Sequence, residues 1–309
     1  MEQGLEALRA GIASVFLGHP ESIDRVLACL LARGHCLIED VPGVGKTVLA
    51  SALAKSIDCP FGRVQLTPDL LPSDILGVSV YRREQDRFDF KRGPIFASIV
   101  LADEINRATP RTQTALLEAM SEGSVTVDGV THELPKPFMI VATQNPTDFQ
   151  GTYQLPENQL DRFLMRISVG YPSAADEARV LELRPSARKL GELRPVIDAA
   201  RVVTLQERTD NARLDRSLID YIIAIATATR VHEALQLGVS PRGSLALAQA
   251  SRAWAVLRGR DYVIPEDILT SVQPVCAHRV ISRGSLADGT ADQTTAILRE
   301  IVQRVPSPA

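Results

Sequence analysis

Glu39-Asp40-Val41-Pro42-Gly43-Val44-Gly45-Lys46-Thr47 lies between an apolar run, Cys36-Leu37-Ile38, and a helix-friendly run from Val48 to Ala54. Strand, glycine-rich turn, Gly-Lys-Thr and helix is the arrangement that cradles a nucleoside triphosphate. The backbone from Asp40 to Val48 wraps the phosphates with its N–H groups, Lys46 reaches their outer oxygens, and the Thr47 hydroxyl can ligate Mg²⁺. The strict pattern wants glycine where this chain has Asp40. Aspartate tolerates a left-handed backbone better than most non-glycine residues, which makes the replacement physically acceptable.

A phosphate loop needs acids on the same edge of its sheet. Ser98-Ile99-Val100-Leu101-Ala102-Asp103-Glu104 supplies them: an apolar run feeding two carboxylates is the pattern of a buried parallel strand that delivers them to its C-terminal end. Asp103 is then expected to hold Mg²⁺ through its water shell and Glu104 to orient and deprotonate the attacking water. A lone Asp-Glu pair would more simply be a solvated strand end, but it follows Lys46 by 57 residues, and the two signals support one another. Phe138-Met139-Ile140-Val141-Ala142-Thr143 reads as a second such strand and ends in Gln144-Asn145-Pro146. Its tip could present the Asn145 amide to the γ-phosphate or the water, although Asn-Pro alone is only a turn.

The remaining pattern is helical before the loop, mixed between the two acidic signals, and helical again at the end. Residues 4–18 and 21–33 carry apolar side chains at helical spacing. Arg63-Val64-Gln65-Leu66 is a short alternating strand. Ser79 to Phe90, rich in aromatics and in Arg82, Arg83 and Arg87, predicts a solvated hairpin, with contact to an anionic partner as the sharper alternative. Gly93-Pro94 is expected to precede a helix-to-strand run, and Thr112 to Glu122 is an amphipathic helix. Ser124 to Thr131 alternates with period two around Asp128-Gly129, the strongest short hairpin signal. Ile167-Ser168-Val169 predicts a last strand, and Tyr171-Pro172-Ser173 a domain boundary. Helices are expected over 174–184, from Leu214 to Arg230, and from Ser240-Pro241-Arg242, with Ser240 as N-cap and Pro241 in the first position. Arg242 opposes the helix dipole there, at a cost of roughly 0.3–1 kcal/mol that a nearby anion would offset. A solvated arginine is the plainer reading.

Bulk properties narrow the class. A chain of 309 residues with 45% hydrophobic and 23% charged side chains is long enough for two globular domains. Residues 1–172 hold 16 basic and 21 acidic side chains and residues 173–309 hold 18 and 16, so neither half is a basic, nucleic-acid-coating module. No apolar run reaches the roughly 18 residues of a membrane span, and Met1-Glu2-Gln3-Gly4 lacks a signal-peptide layout. Cys29, Cys36, Cys59 and Cys276 form no Cys-x-x-Cys pair, which suits reduced thiols in a cytoplasmic protein.

With those residues in view, the chain resembles the MoxR family of AAA+ ATPases from about Gly18 to Leu269. The strings that carry the likeness include Leu37 to Thr47, Thr67-Pro68-Asp69-Leu70-Leu71-Pro72-Ser73-Asp74, Gly93-Pro94-Ile95-Phe96-Ala97 and Leu101 to Ala108. Further on come Ala142 to Pro146, Leu155-Pro156-Glu157, Gln159-Leu160-Asp161-Arg162-Phe163 and Ser240-Pro241-Arg242. Asp40 is tolerated in such sequences. The resemblance implies an α/β P-loop NTPase core, a parallel sheet between helices, over residues 1–172, and a smaller all-α lid over 173–309. It further implies Lys46 and Thr47 as the Walker A pair, Asp103 and Glu104 as the Walker B pair, and Asn145 as sensor 1. Arg162 matches the arginine finger and Arg242 the sensor 2 arginine. The Val125–Val130 hairpin and residues 67–90 match two insertions of the family. His19, Gln150 and Asn158 depart from its usual pattern.

Those roles imply ATP and Mg²⁺ as ligands and a ring, a hexamer, because an arginine finger completes a neighbour's site. The family's expected activity is chaperone-like remodelling of protein partners, among them proteins with a von Willebrand factor A (VWA) domain. A nucleic-acid motor is the alternative, since such hairpin insertions recur in helicases. A small-molecule phosphotransferase would leave Arg162, Arg242 and the lid without roles.

Overall fold

The computed structural model describes residues 2–146, 151–183, 187–283 and 290–308; Gln150 lies outside them. The chain forms two compact units. The first comprises Met1–Asp24, His35–Leu155 and Ser168–Val203, and the second comprises Arg25–Gly34, Pro156–Ile167 and Thr204–Ala309.

Four parallel strands organise the first unit: β1 (Cys36–Glu39), β2 (Phe61–Gln65), β3 (Ile99–Asp103) and β4 (Met139–Gln144), adjacent in the order β1–β4–β3–β2. Every residue of β3, and Met139 to Thr143 of β4, is buried, which is why both read as unbroken apolar runs. Register brings their C-terminal ends level: Glu39 pairs with Gln144, Ala102 with Ala142, and Gln65 with Asp103. The phosphate loop, both acids and Asn145 therefore share one edge of the sheet. Helix Lys46–Ser56 packs Leu49, Ala50 and Leu53, and helix Pro110–Glu122 buries Leu116, Leu117, Ala119 and Met120. Each fully buried leucine of this kind contributes about 1.5–3 kcal/mol.

His35 locks the start of β1. Its Nδ1 accepts from the Ile140 N–H at 2.9 Å, so the ring proton lies on Nε2, which donates to the Met120 carbonyl at 3.0 Å. Burial lowers its pKa to about 4, against a smaller opposing effect of the Met120 hydrogen bond.

Two hairpins project from this framework, Gly77–Arg82 with Arg87–Arg92 and Ser124–Val127 with Val130–Glu133. Asp128 and Gly129 take φ of 51° and 78°, as a tight hairpin turn demands. Two sequence expectations fail here. Residues 93–98 form turns rather than a helix; Gly93 is pressed so close to Ile75 and Gly77 that a Cβ would lie 2.1 Å from the Ile75 carbonyl oxygen. The strand expected over Ile167–Val169 is instead Met165–Ile167, because the N–H groups of Val169 and Gly170 bind the Asp40 carboxylate.

The second unit is mainly helical, with Arg216–Val231, Pro241–Leu257, Pro265–Cys276 and Thr290–Arg304 as its long elements. Ile222, Ile225, Leu247, Trp254, Ile268, Val275, Leu298 and Ile301 form its core together with Phe163, which is fully buried. Ser240 caps helix Pro241–Leu257 as its sequence predicts, its hydroxyl accepting from the Gly243 N–H at 3.1 Å. Among the described residues no helix is long and apolar enough to cross a membrane.

Candidate nucleotide site

The phosphate loop takes the shape its glycines allow. Gly43 and Gly45 adopt φ of 87° and 92°, a region costly for a side chain, and Gly45 leads directly into helix Lys46–Ser56. The helix N-terminus and its N–H groups make this a natural anion cradle. Val44 is buried while Pro42 and Gly43 face solvent. The Lys46 ammonium rests on the Asp40 carbonyl at 2.5 Å and the Gln144 carbonyl at 3.0 Å. Burial lowers its pKa, opposed by the negative charges of Asp40, Asp103, Glu104 and Glu39.

Asp40 has a role that the sequence reading did not foresee. It is not among the non-glycine residues with positive φ, so tolerance of a left-handed backbone is not what admits it. Its Oδ2 accepts from the Ser168 hydroxyl and the Val169 and Gly170 N–H groups at 2.7–2.8 Å, and its Oδ1 accepts from the Val41 N–H at 2.8 Å. Burial alone would raise its pKa, but these donors hold it below the usual carboxylate value. Asp40 thereby ties the start of the loop to Ser168–Gly170, a segment that His19 also holds through the Tyr171 carbonyl at 3.1 Å.

Asp103 sits at the focus of the strand edge, 5% exposed. Its Oδ1 accepts from the Thr143 hydroxyl at 3.0 Å and faces the Thr47 hydroxyl at 3.4 Å. Its Oδ2 accepts from Arg63 Nη2 at 2.9 Å and Nε at 3.1 Å. The Thr143 oxygen also accepts from the Glu104 N–H at 2.9 Å, linking the two acidic positions through β4. Glu104 leaves the strand with φ 59° and ψ 54°, an uncommon conformation for a side-chain-bearing residue that costs about 1–3 kcal/mol. Its carboxylate pairs with Arg107 at 2.9 Å, both side chains being more than a third exposed, so the pair is weak and readily exchanged. Asn145 is buried immediately beyond β4, and its carbonyl accepts from the Asn106 amide at 3.3 Å.

Lys46, Thr47, Asp103, Glu104 and Asn145 thus gather on one edge. Arg162 and Arg242 belong to the second unit, where Arg242 Nε lies 3.6 Å from Asp161 Oδ2. The anion near the start of this helix is therefore supplied by the chain itself. A cleft of about 650 Å³ in the same unit is lined by Glu157, Asp161, Arg230, Ser240, Arg279 and Ile281 among others. Sequence reading missed Arg63, Thr143 and Arg107. A hydroxyl near the end of an apolar strand was the available sign for Thr143; nothing local distinguishes Arg63 from a solvated strand arginine.

Comparison with known proteins gives the family of the chain. Residues 35–165 match the model of the ATPase family associated with various cellular activities (AAA), and residues 227–301 match that of the AAA lid domain. The chain is 50% identical over 297 residues to the uncharacterized protein YeaC of Bacillus subtilis, covering 96% of this chain and 92% of that one. It is 38% identical over 311 residues to the chaperone MoxR1 of Mycobacterium tuberculosis, covering 96% and 80%. The crystal structure of an ATPase candidate from Cytophaga hutchinsonii superposes with a TM-score of 0.90 at 33% identity, covering 100% of this chain and 96% of that one. In this chain a parallel sheet flanked by helices is followed by a helical lid, and the chain belongs to the MoxR family of AAA+ ATPases.

Proposed function

We propose that this chain hydrolyses ATP in a homo-oligomeric ring, a hexamer, and uses the cycle to remodel or mature partner proteins in the cytoplasm, a VWA-domain protein among them. The observation that carries the catalytic reading is the convergence of Thr47, Thr143 and Asp103 Oδ1 beside the Lys46 loop. N–H groups from Gly43 to Val48 would bind the phosphates, since Pro42 has none and those of Asp40 and Val41 are taken by the Gln144 carbonyl and the Asp40 carboxylate. Lys46 would exchange its two carbonyl contacts for phosphate oxygens. A hydroxyl and a carboxylate oxygen 3.4 Å apart are hard donors that suit Mg²⁺, which takes few protein ligands and keeps its waters. Thr47 and Asp103 would hold that ion, which supplies charge neutralisation at the phosphate oxygens. Glu104 would orient the attacking water and take its proton, after its exposed ion pair with Arg107 opens. Asn145 would contact the γ-phosphate or the water, and Arg162 and Arg242 would stabilise the charge that develops on the transferred group.

The remodelling activity rests on likeness to the chaperone MoxR1, and one experiment tests it. A Glu104→Gln variant, loaded with ATP and incubated with lysate, is expected to retain protein in an ATP-dependent manner. Retention of nucleic acid alone, with nucleic-acid-stimulated ATPase activity that falls steeply with salt, would replace the remodeller by a nucleic-acid motor.

A further inference from the structure

Arg279 follows helix Pro265–Cys276 and is almost entirely buried, its side chain only 3% exposed. Its guanidinium is directed at one short segment of chain. Nη2 donates to the carbonyls of Phe163 at 2.7 Å and Asp161 at 3.0 Å, and Nη1 donates to the carbonyl of Leu164 at 3.1 Å and to that of Val275. Nε donates to Asp161 Oδ1 at 2.7 Å. Asp161 on one side and Phe163 and Leu164 on the other flank Arg162. The other carboxylate oxygen of Asp161, Oδ2, lies 3.6 Å from Arg242 Nε, so one carboxylate stands between two arginines. The Arg279 stem also passes close to Gly243, the neighbour of Arg242: a Cβ built there would lie 3.1 Å from Arg279 Cδ.

The arrangement is expensive, which argues that more than packing maintains it. A buried guanidinium loses its hydration, and burial lowers the Arg279 pKa against the attraction of Asp161. His278 lies beside it, its Nε2 2.8 Å from Arg279 Nη1 and 3.1 Å from the Phe163 carbonyl, while its Nδ1 is buried with no hydrogen-bond partner. Carbonyls of a short loop could be satisfied by water at no such expense. Only a fixed fork of donors can hold the carbonyls of Asp161, Phe163 and Leu164 together with a carboxylate in one geometry.

We propose that Arg279 is a positioning residue for ATP hydrolysis: it clamps Asp161–Leu164 so that Arg162 and, through Asp161, Arg242 are presented as one preset pair. This rests on the reading of Arg162 as a finger acting on a neighbouring site, with Arg242, which shares the Asp161 carboxylate, acting on that same site. A preset guanidinium needs no ordering when the transferred phosphoryl group develops its charge. Loosening the clamp therefore affects the chemical step and leaves nucleotide binding by the subunit's own phosphate loop in place.

The test uses the full chain. ATPase kinetics are measured for Arg279→Gln, Arg279→Lys and Asp161→Asn beside Arg162→Ala, each alone and mixed with Lys46→Ala, with thermal unfolding of each. Lysine carries the charge but not the fork, so Arg279→Lys is expected to fail with Arg279→Gln. Both should lose about 100-fold in kcat with KM for MgATP changed by no more than about twofold. Mixing with Lys46→Ala subunits, which retain an intact clamp, should restore turnover as it does for Arg162→Ala. If Arg279→Gln does not fold, Arg279→Lys and Asp161→Asn carry the same expectation. Folded Arg279 variants with wild-type kcat, beside an inactive Arg162→Ala, would overturn the inference and leave the finger reading intact. A loss that Lys46→Ala subunits do not restore, while they restore Arg162→Ala, would reduce Arg279 to a structural residue. Full turnover by Arg162→Ala would remove the finger reading itself.

Discussion

Asp103 in the first unit and Asp267 in the second are 5% and 0% exposed, and arginines hold both. Asp267 is saturated by fixed donors. Arg258 and Arg260 reach its Oδ1 at 2.8 and 2.7 Å, and Arg260 and the Ile264 N–H reach its Oδ2 at 2.7 and 3.0 Å. Asp103 meets a guanidinium fork on one oxygen only. Its Oδ2 is forked by Arg63, whereas Oδ1 faces two rotatable hydroxyls, one of them at 3.4 Å. A carboxylate whose every lone pair meets a fixed donor fastens a helix start. One with a free-turning side toward an anion cradle can accept a hard cation. Burial and charge pairing alone do not distinguish the two; the mobility of the donors does.

Substitutions at these two positions should separate the roles. Asp103→Asn is expected to lower ATP turnover about 1000-fold, near 4 kcal/mol, with little loss of stability because Arg63 is half exposed and can turn to water. Asp267→Asn should do the reverse, costing about 3 kcal/mol of stability in urea unfolding. That value is at the lower end for a broken buried pair, since Arg258 and Arg260 are 38% and 19% exposed and keep some water. Turnover per folded Asp267→Asn subunit should be nearly normal. An inactive but stable Asp267→Asn would erase the contrast.

The next effect concerns the framework behind Asp103. His35 has a folded pKa of about 4 against an unfolded value of 6.5. Above 6.5 the ring is neutral in both states and pH has no effect through it. Below 6.5 the unfolded chain takes up the proton first, so stability falls until pH passes about 4, by about 2 kcal/mol at pH 5. Urea unfolding at pH 7 and pH 5 measures this, and His35→Gln should flatten the dependence. His278, buried beside Arg279, contributes a residual slope of the same sign. The smallest effect is at Arg107. Because its pair with Glu104 is exposed, Arg107→Ala should alter turnover by less than about threefold.

Much of the first unit is legible in the sequence because its signals are local. An apolar run ending in Asp103-Glu104 and a Gly-Lys-Thr turn each name their own place on a strand edge. The part that was not legible depends on contacts across long separations. Asp40 looks like a misplaced glycine until Ser168, Val169 and Gly170 are seen to bind it. The strand expected over 167–169 ends early for the same reason. Arg279 lies 118 residues from Asp161, and no periodicity connects them. Arg63 reaches Asp103 from the neighbouring strand, where an alternating pattern gives its register but not its partner.

Glu104 is the residue on which hydrolysis at this strand edge most directly depends. Rapid mixing of MgATP with the Glu104→Gln protein, followed by phosphate release, separates binding from chemistry. The expected result is ATP affinity within about threefold of wild type and hydrolysis slower by about 1000-fold, the loss of a positioned general base. Hydrolysis within about twofold of wild type would contradict the assignment of Glu104, and with it the reading of this strand edge as the catalytic centre.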